Sequence, residues 1–413
     1  GGSAKGAGEF VCGSLGEAWT LKKCSIKNRQ GLVIDSGLVV FFESPKSYTG
    51  EDVVEIHCHG SPVVVEQVVD VVVSLGCRLS EPGEFTKRAY LNDKMDMAQA
   101  EAVADLVSSE TYEAARAAHN SLTGEFSDLI SSLTERLVSC RVLVESSIDF
   151  VDEEGVFFDK EARTSLTSSI NKELSLVASA LESSKEGARL REGIKVVLVG
   201  PPNGGKSTLM NRLSRDEVAI VSDVPGTTRD ILRTKLNIGG LLCEFSDTAG
   251  LRDSSSDPIE IEGIKRAKKE AASADLVVLV SEAAKEVSFE SGEVPVIRVF
   301  NKADLDKKRD GDGLYISALY GEGIEELKAS ILKAVGFSSS VEVPALSRRR
   351  HIFFLENALR HLRGAESLVS AGGGLELVAE ELSFAHKELG FITRPMSSDE
   401  LLGEIFSEFC IGK

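Results

Sequence analysis

The chain has 413 residues, of which 42% are apolar, so it is long enough for about two or three domains with buried cores. Its formal net charge of −18 argues against nucleic-acid binding by the whole surface, so an RNA contact would need a local basic patch or a partner. No run approaches the roughly 18 apolar residues of a membrane span, and seven scattered cysteines without C-x-x-C pairs predict reduced thiols in a cytoplasmic protein.

The first 92 residues combine short strand-like runs, such as residues 31–42, with one helix-like stretch at residues 62–75. That stretch is rich in valine, so we expect it to be buried. His57, Cys58 and His59 are metal-ligand types, but two side chains on one face of a strand are too few for a closed metal site. The sequence therefore favours a strand without a metal.

From Met95 to about Leu190 the apolar residues repeat at helical spacing, which predicts buried helix faces. The two stripes are Phe126, Ile130, Leu133, Leu137, Val144, Ile148 and Leu166, Ile170, Leu174, Val177, Leu181. A second helical block covers residues 348–390 and then 398–410. The intervening residues are bounded by Gly193 and by a Ser-rich stretch at 338–340, so we predict an insertion in one helical domain.

A glycine loop opens the inserted segment. Residues 194–199 form a β-branched apolar run, which predicts a buried parallel strand. The spacing G-x-x-x-x-G-K-S from Gly200 to Ser207 follows at once, in which backbone N–H groups hold phosphates, the lysine reaches the outer phosphates and the hydroxyl binds Mg²⁺. The alternative is an ordinary Gly-rich turn. The predicted nucleotide-binding residues here are Asn203, Gly204, Gly205, Lys206, Ser207 and Thr208.

Further motifs select guanine and supply the switch elements. Asn301 and Asp304 follow the apolar run 294–300 and have the donors and acceptors to bind guanine, which favours GTP over ATP. Asp247 ends another strand and offers a carboxylate to the Mg²⁺ shell, while Thr228 offers a second hydroxyl. The remaining predicted nucleotide-binding residues are Ser222, Asp223, Val224, Pro225, Gly226, Thr227, Thr248, Ala249, Gly250, Lys302, Ser317, Ala318 and Leu319. Between these motifs, Gly239-Gly240 predicts a hairpin that joins strands 233–238 and 241–246.

Four blocks outside these motifs resemble the MnmE (TrmE) family of tRNA-modifying GTPases. They are residues 47–52 (SYTGED), 82–89 (PGEFTKRA), 91–94 (LNDK) with 98–102 (AQAEA), and 409–413 (FCIGK). The resemblance implies a multidomain α/β and α fold: a Ras-like G domain at 193–337, inserted in an all-helical domain formed by 93–192 and 338–413. A small α+β folate-binding-type domain at 1–92 precedes it. The family has an opening strand with an arginine ahead of Gly1, so we expect the chain to lack that strand.

The resemblance also implies the reaction. It suggests a homodimeric, K⁺-stimulated and dimerisation-dependent GTP hydrolase that also binds Mg²⁺. With tRNA and a flavin-dependent subunit (MnmG, also called GidA) in a heterotetramer, it would support 5-carboxymethylaminomethyl-type modification of the wobble uridine. The rival interpretations are a ribosome-assembly GTPase, which would carry a basic RNA-binding module after the G domain, and a scaffold switch whose output is nucleotide-dependent dimerisation.

Specific roles follow from the same resemblance. Leu251 stands where Ras-type enzymes have a glutamine, so it cannot orient the attacking water. Glu260 matches the catalytic glutamate that acts through a bridging water, with Glu262 as the alternative because residues 254–258 carry an insertion. The implied K⁺ ligands are Asn203, Ser222, Val224 and Thr227, although Asn203 as a plain turn residue is an alternative. A 5-formyl-tetrahydrofolate-type donor would bind Glu55, Lys94 and Lys413, with the Cys410 thiol as a catalytic group beside the one-carbon unit or simply as a buried hydrophobe.

Overall fold

The structure is a computed structural model that describes most of the chain. The described residues are 1–149, 160–216, 233–247, 269–282, 289, 292–305, 311–337, 345–394, 405–407, 409 and 412. They fall into two compact units. Unit 1 comprises residues 1–104, 127–131 and 390–413, and unit 2 comprises 105–126 and 132–389. The four predicted domain bounds stay predictions.

Unit 1 contains a three-stranded antiparallel sheet. Its elements in chain order are α1 (Ala4–Cys12), β1 (Lys22–Lys27), β2 (Val33–Phe42), β3 (Val53–His57), α2 (Pro62–Ser74) and α3 (Glu84–Leu91). The strands lie in the order β1-β2-β3, and β2 confirms the predicted strand in residues 31–42. The prediction of one helix among the first 92 residues is wrong, since α1 and α3 are helices too. Both are short, and α1 buries only Gly8, Val11 and Cys12, too few positions for a clear helical period.

The expected burial of the valine-rich helix is wrong for most of its residues. In α2 only Val68 and Val71 are buried, whereas Val63 is 61% exposed and Val65 is 44% exposed. The valines of this helix lie on all of its sides, but a helix that packs against one surface buries only one face. Composition alone therefore did not identify which face is covered.

The sequence also predicts that an apolar face of the C-terminal stretch, formed by Leu401, Leu402, Ile405, Phe406 and Phe409, packs on the helical domain, and this packing is confirmed for the last three of these residues. Helix α4 (Met97–Ser108) begins with Met97 and Ala100, and both are buried in one cluster with Phe406 and Phe409. The two phenylalanine rings also contact each other, with centroids 5.3 Å apart. Leu401 and Leu402, which belong to the same predicted apolar face, lie outside the described residues.

The next helices confirm the predicted apolar stripes. They are α5 (Tyr112–Leu122), α6 (Glu125–Asp149) and α7 (Lys160–Glu192). Along α6 and α7 most stripe residues are buried, as at Leu133, Leu137, Leu166, Ile170 and Val177, whereas Ile148 and Leu174 are only half-buried. These side chains form core and leave no apolar face for a cofactor at those positions.

The inserted segment forms a six-stranded sheet. Its elements are β4 (Ile194–Val199), α8 (Lys206–Asp216), β5 (Arg233–Ile238), β6 (Leu241–Asp247), β7 (Leu276–Glu282), β8 (Val296–Asn301), β9 (Leu314–Tyr315) and α9 (Ile324–Ala334). The strand order is β5-β6-β4-β7-β8-β9, in which only the β5–β6 pair is antiparallel. The predicted strand at 194–199 and the Gly239-Gly240 hairpin are both confirmed. In this mostly parallel sheet, loops at the carboxyl ends of the strands form the natural ligand-binding edge.

The second helical block consists of α10 (Arg349–Ala371), which packs along α7, and α11 (Leu375–Thr393). The chain enters the sheet after Arg191 and returns to the helices at Arg348. Both guanidinium groups bind one carboxylate, that of Asp105 on α4, at 2.9 Å each. Asp105 is only 6% exposed, so this ion-pair group joins the entry and exit of the inserted segment inside unit 2. Among the helices that the structure describes, none is long and apolar enough to cross a membrane.

Candidate nucleotide-binding site

The glycine loop lies at the carboxyl end of the central strand β4, directly before α8. Two of its glycines have no room for a side chain: a Cβ on Gly200 would lie 1.9 Å from the carbonyl oxygen of Val280. A Cβ on Gly205 would lie 2.0 Å from Nδ2 of Asn301, and the φ of 90° at Gly205 is unfavourable for other residues. The loop then opens into α8, whose first N–H groups have no partner within the helix and can bind an anion.

The predicted phosphate lysine is held within this loop. Lys206 Nζ donates to the carbonyl oxygens of Gly200 (2.7 Å) and Pro201 (2.9 Å), and the residue is only 4% exposed. An ammonium group removed from water is costly unless it has such partners, so these carbonyl groups keep the charge in the loop. The hydroxyl-bearing residues Ser207 and Thr208 follow on the first turn of α8, where both are exposed.

Asn301 joins the glycine loop to the loops on the other side of the predicted base site. Its Nδ2 donates to the Gly204 carbonyl oxygen at 3.1 Å, and its Oδ1 accepts from the Ala318 backbone N–H at 3.0 Å. The side chain is 3% exposed. Sequence reasoning assigned this amide to guanine, whereas the structure shows both of its ends bonded to backbone groups that lie 97 and 17 residues away. In the structure the Asn301 side chain therefore bridges two loops.

Asp304 and Ser317 form the second part of the predicted base-binding region. The Ser317 hydroxyl donates to Oδ1 of Asp304 at 2.6 Å, and Ser317 is fully buried. One carboxylate oxygen is thereby fixed, which leaves acceptor capacity on the carboxylate for the N–H groups of a guanine edge. The structure thus brings together three predicted residues from two segments: Asn301, Asp304 and Ser317.

Two neighbouring contacts were not found by sequence reasoning. Arg212 on α8 donates from Nε to the Ala318 carbonyl oxygen at 3.1 Å and also donates to the Leu319 carbonyl oxygen. It therefore holds the backbone of the loop at 317–319, which is predicted to bind the nucleotide. Lys302, which has a positive φ of 65°, pairs with Glu282 at the end of β7. Arg212 carries no local signal, and Lys302 was predicted only as a nucleotide-binding residue, because the partners in both contacts are distant in sequence.

Several predicted residues lie outside the part of the chain that the structure describes. They are Ser222, Asp223, Val224, Pro225, Gly226, Thr227, Thr228, Thr248, Ala249, Gly250, Leu251, Glu260, Glu262, Cys410 and Lys413. For Asp247 only the backbone is described, as the last residue of β6 beside Leu198 of β4. Asn203 is described, with an exposed side chain and a φ of 64°, a left-handed conformation that asparagine tolerates better than most residues.

In unit 1 the two predicted folate residues that the structure describes, Glu55 and Lys94, have different partners. The Glu55 carboxylate lies 3.3 Å from Nε2 of His57, while Lys94 Nζ donates to the Pro45 carbonyl oxygen at 3.1 Å. Asp35 bonds both the backbone and the ring of His59, and these bonds, the backbone one foremost, lower the pKa of the Asp35 carboxyl. Within the described residues there is no group of three or more His, Cys, Asp or Glu side chains that could hold a metal.

Two family models match the sequence. One, described as the MnmE helical domain, matches residues 97–410, and the other, described as the GTP-binding protein TrmE N-terminus, matches residues 5–94. The tRNA modification GTPase MnmE of Nitrosomonas eutropha is 46% identical over 398 residues, which cover 92% of this chain and 87% of that protein. The protein of that name from Nitrosomonas europaea is 45% identical over 406 residues, covering 94% and 89%. Among solved structures, the cytosolic domain of the T. maritima FeoB iron transporter covers 48% of this chain and 97% of its own, at 18% identity and a TM-score of 0.27, too low to support a conclusion.

Proposed function

Because this chain belongs to the MnmE family of tRNA modification GTPases, we propose that it couples K⁺-stimulated GTP hydrolysis to modification of the wobble uridine of tRNA. The family itself makes the chain a GTP hydrolase in tRNA modification. Our proposal adds the K⁺ dependence, a homodimer, a 5-carboxymethylaminomethyl-type product and a flavin-dependent partner subunit of the MnmG type. Family membership argues against both rivals, the ribosome-assembly factor and the pure scaffold switch.

The bridge at Asn301 is the observation that supports GTP binding and hydrolysis in this proposal. It holds a loop with phosphate-binding geometry against a loop that carries the fixed Asp304 carboxylate. Lys206 would move its ammonium group from loop carbonyl groups to the phosphate oxygens of GTP, a stronger, charge-assisted contact. Asp304 would accept from the guanine edge while Ser317 holds its other oxygen.

The loop also fits the two cations of the proposal. Ser207 stands exposed on the first turn of α8 and would hold Mg²⁺ together with Thr228, and Asp247 would support that shell. Asn203 projects an exposed amide from the same loop, and it would bind K⁺ with oxygens of Ser222, Val224 and Thr227. Bound there, the cations would neutralise negative charge on the phosphate oxygens in the transition state.

Glu260 would orient the attacking water through a bridging water, because Leu251 has no polar group for this task. In unit 1, Glu55 and Lys94 are both exposed and therefore accessible to a tetrahydrofolate-type one-carbon donor, with Lys413 as a third contact. Carboxylate and ammonium groups suit the amide and carboxylate functions of such a molecule. Cys410 would act near its one-carbon unit.

The K⁺ proposal is tested by GTP hydrolysis of the full chain in KCl and in NaCl. Hydrolysis should be far faster in KCl, and Asn203→Ala should lose most of the stimulation, since removing one transition-state contact commonly costs about 10²–10³ in kcat. Asn237→Ala, in the β5–β6 hairpin, is the matched control and should keep the stimulation. Equal wild-type rates in the two salts would contradict the proposal.

The one-carbon role of Cys410 has a separate test. Cells that carry Cys410→Ser as their sole copy should lack the modified wobble uridine, as measured by mass spectrometry of their tRNA. The purified variant should still hydrolyse GTP with K⁺ stimulation, because the thiol belongs to a different part of the chain. Full modification in this variant would reduce Cys410 to a packing role.

A further inference from the structure

Unit 2 contains a large groove on the side of its sheet away from the glycine loop. The groove has a volume of about 850 Å³ and lies where β4 begins, next to the ends of α7 and α9 and the start of α10. We call it the basic groove. Its cationic lining residues are Lys185, Arg189, Lys195, Lys235, Lys333 and Arg349, and its carboxylates are Glu192, Glu244 and Asp275.

The carboxylates of the basic groove are already engaged. Glu192 binds Arg349 at 3.0 Å and Arg191 at 3.6 Å. Asp275 accepts the backbone N–H of Lys195 at 2.8 Å. Glu244 stands in strand register between Lys195 on β4 and Lys235 on β5, so one negative charge faces two positive ones. Two of the cations are also paired with carboxylates just outside the lining, Lys185 with Glu182 at 3.1 Å and Lys235 with Glu110 at 2.6 Å, so the positive charge available to a ligand comes from the cations without a carboxylate partner.

Three of the cations have no carboxylate partner among the described residues. Arg189 makes only a long hydrogen bond, 3.4 Å, to the Gly336 carbonyl oxygen. Lys195 and Lys333 are exposed. Among the described residues, no carboxylate oxygen lies within 4.0 Å of either ammonium group, the distance that defines an ion pair. Like charges held in one concave region repel each other and raise the local concentration of anions. The basic groove is thus suited to a ligand that brings several negative charges.

The lining also indicates which anion. The described lining residues include no Phe, Tyr, Trp or His, so the groove offers no surface on which a base could stack. Its volume is too large for a single phosphate, and its cations are spread over two helix ends, two strands and the start of α10. Spaced cations without stacking groups match a phosphodiester backbone, which is bound by charge and not by base identity.

We propose that the basic groove binds the phosphate backbone of the tRNA substrate. This inference rests on the proposed function only in taking tRNA as the substrate. The glycine loop follows the carboxyl end of β4, whereas Ile194 and Lys195 at the amino end of that strand line the groove. RNA and GTP therefore occupy opposite edges of one sheet and bind simultaneously.

The test measures binding of a fluorescent tRNA transcript to the full chain between about 50 and 200 mM salt, with Lys195→Ala and Lys333→Ala. In each variant the negative slope of log affinity against log salt should become shallower by about 1, and binding should weaken by roughly threefold at the higher salt. A second transcript of different sequence should show the same losses. Lys172→Ala, exposed on α7 outside the groove, is the matched control and should behave as wild type.

Unfolding midpoints with GDP identify variants that have folded normally. Folded groove variants that keep the wild-type slope, or lose no more than Lys172→Ala, would overturn the proposal. Displacement of the transcript by GTP would also overturn it, because RNA would then share the nucleotide site. A wild-type chain that hydrolyses GTP but binds no transcript would refute the groove and leave the hydrolase in place, with RNA held by the partner subunit.

Discussion

Asn301→Ala separates a bridging role from a base-contact role. The substitution removes the amide that joins the Gly204 carbonyl oxygen to the Ala318 N–H, while the backbone of β8 is kept. Both groups are buried and would be left without this partner. An unpaired buried polar group costs about 1–3 kcal/mol, so the two together predict a loss of about 2–6 kcal/mol before any nucleotide is bound.

The assay is thermal unfolding of the full chain with and without GDP, combined with calorimetric titration of GDP. For a folding unit of roughly 150–250 residues each kcal/mol lowers Tm by about 2–4 °C, so the transition of the G domain should fall by on the order of 10 °C without nucleotide. GDP affinity should fall as well, because the two loops lose their mutual support. Asn237→Ala removes one hydrogen bond of 2.9 Å in the β5–β6 hairpin and should cost about 1 kcal/mol, with unchanged GDP affinity.

The reasoning fails if Asn301→Ala melts like wild type without nucleotide and only its GDP affinity falls. That result would mean that the amide acts on guanine directly and that the bridge stabilises nothing. An equal loss of apo stability in Asn301→Ala and Asn237→Ala would also refute it, since the bridge would then be worth no more than a turn hydrogen bond.

Three further predictions concern single side chains. Asp304→Asn should shift preference from GTP toward xanthosine triphosphate in a competition assay, because the amide presents a donor where the carboxylate accepted, and unchanged selectivity would move base recognition elsewhere. Glu260→Ala should keep GTP affinity and slow hydrolysis by about 10²-fold; if Glu262→Ala does so instead, the assignment belongs there. The pKa of Glu84 is lowered from 4.5 to about 2, mainly by its hydrogen bonds to Arg78. Ionised Glu84 therefore stabilises the folded state fully above pH 4.5, and this stabilisation is lost as pH falls toward 2. Denaturant unfolding of Glu84→Gln should show a shallower loss of stability across that window, and an unchanged acid limb would contradict the ion pair.

Local sequence was sufficient wherever one short segment carries all of the physics. The strand β4, the glycine spacing and the Gly239-Gly240 hairpin depend on neighbours within a few residues, and all three are found where they were predicted. The helix stripes of α6 and α7 were readable for the same reason, since a period of about 3.6 residues records which face is covered. Membership of the MnmE family could also be predicted from sequence, because the residue blocks that match the family are contiguous segments of the chain.

Tertiary structure decided the features that join distant segments. Burial of α2 followed from the one face that is covered and not from its valine content, and α1 and α3 were missed because short helices with few buried positions show no period. The bridge at Asn301 spans 97 residues to Gly204, and the Asp105 carboxylate binds arginines 86 and 243 residues away. The basic groove collects cations from five elements, each unremarkable alone. A linear pattern records the preferences of a segment for helix, strand or turn, but hydrogen bonds and charges between segments depend on distances that exist only after the chain has folded.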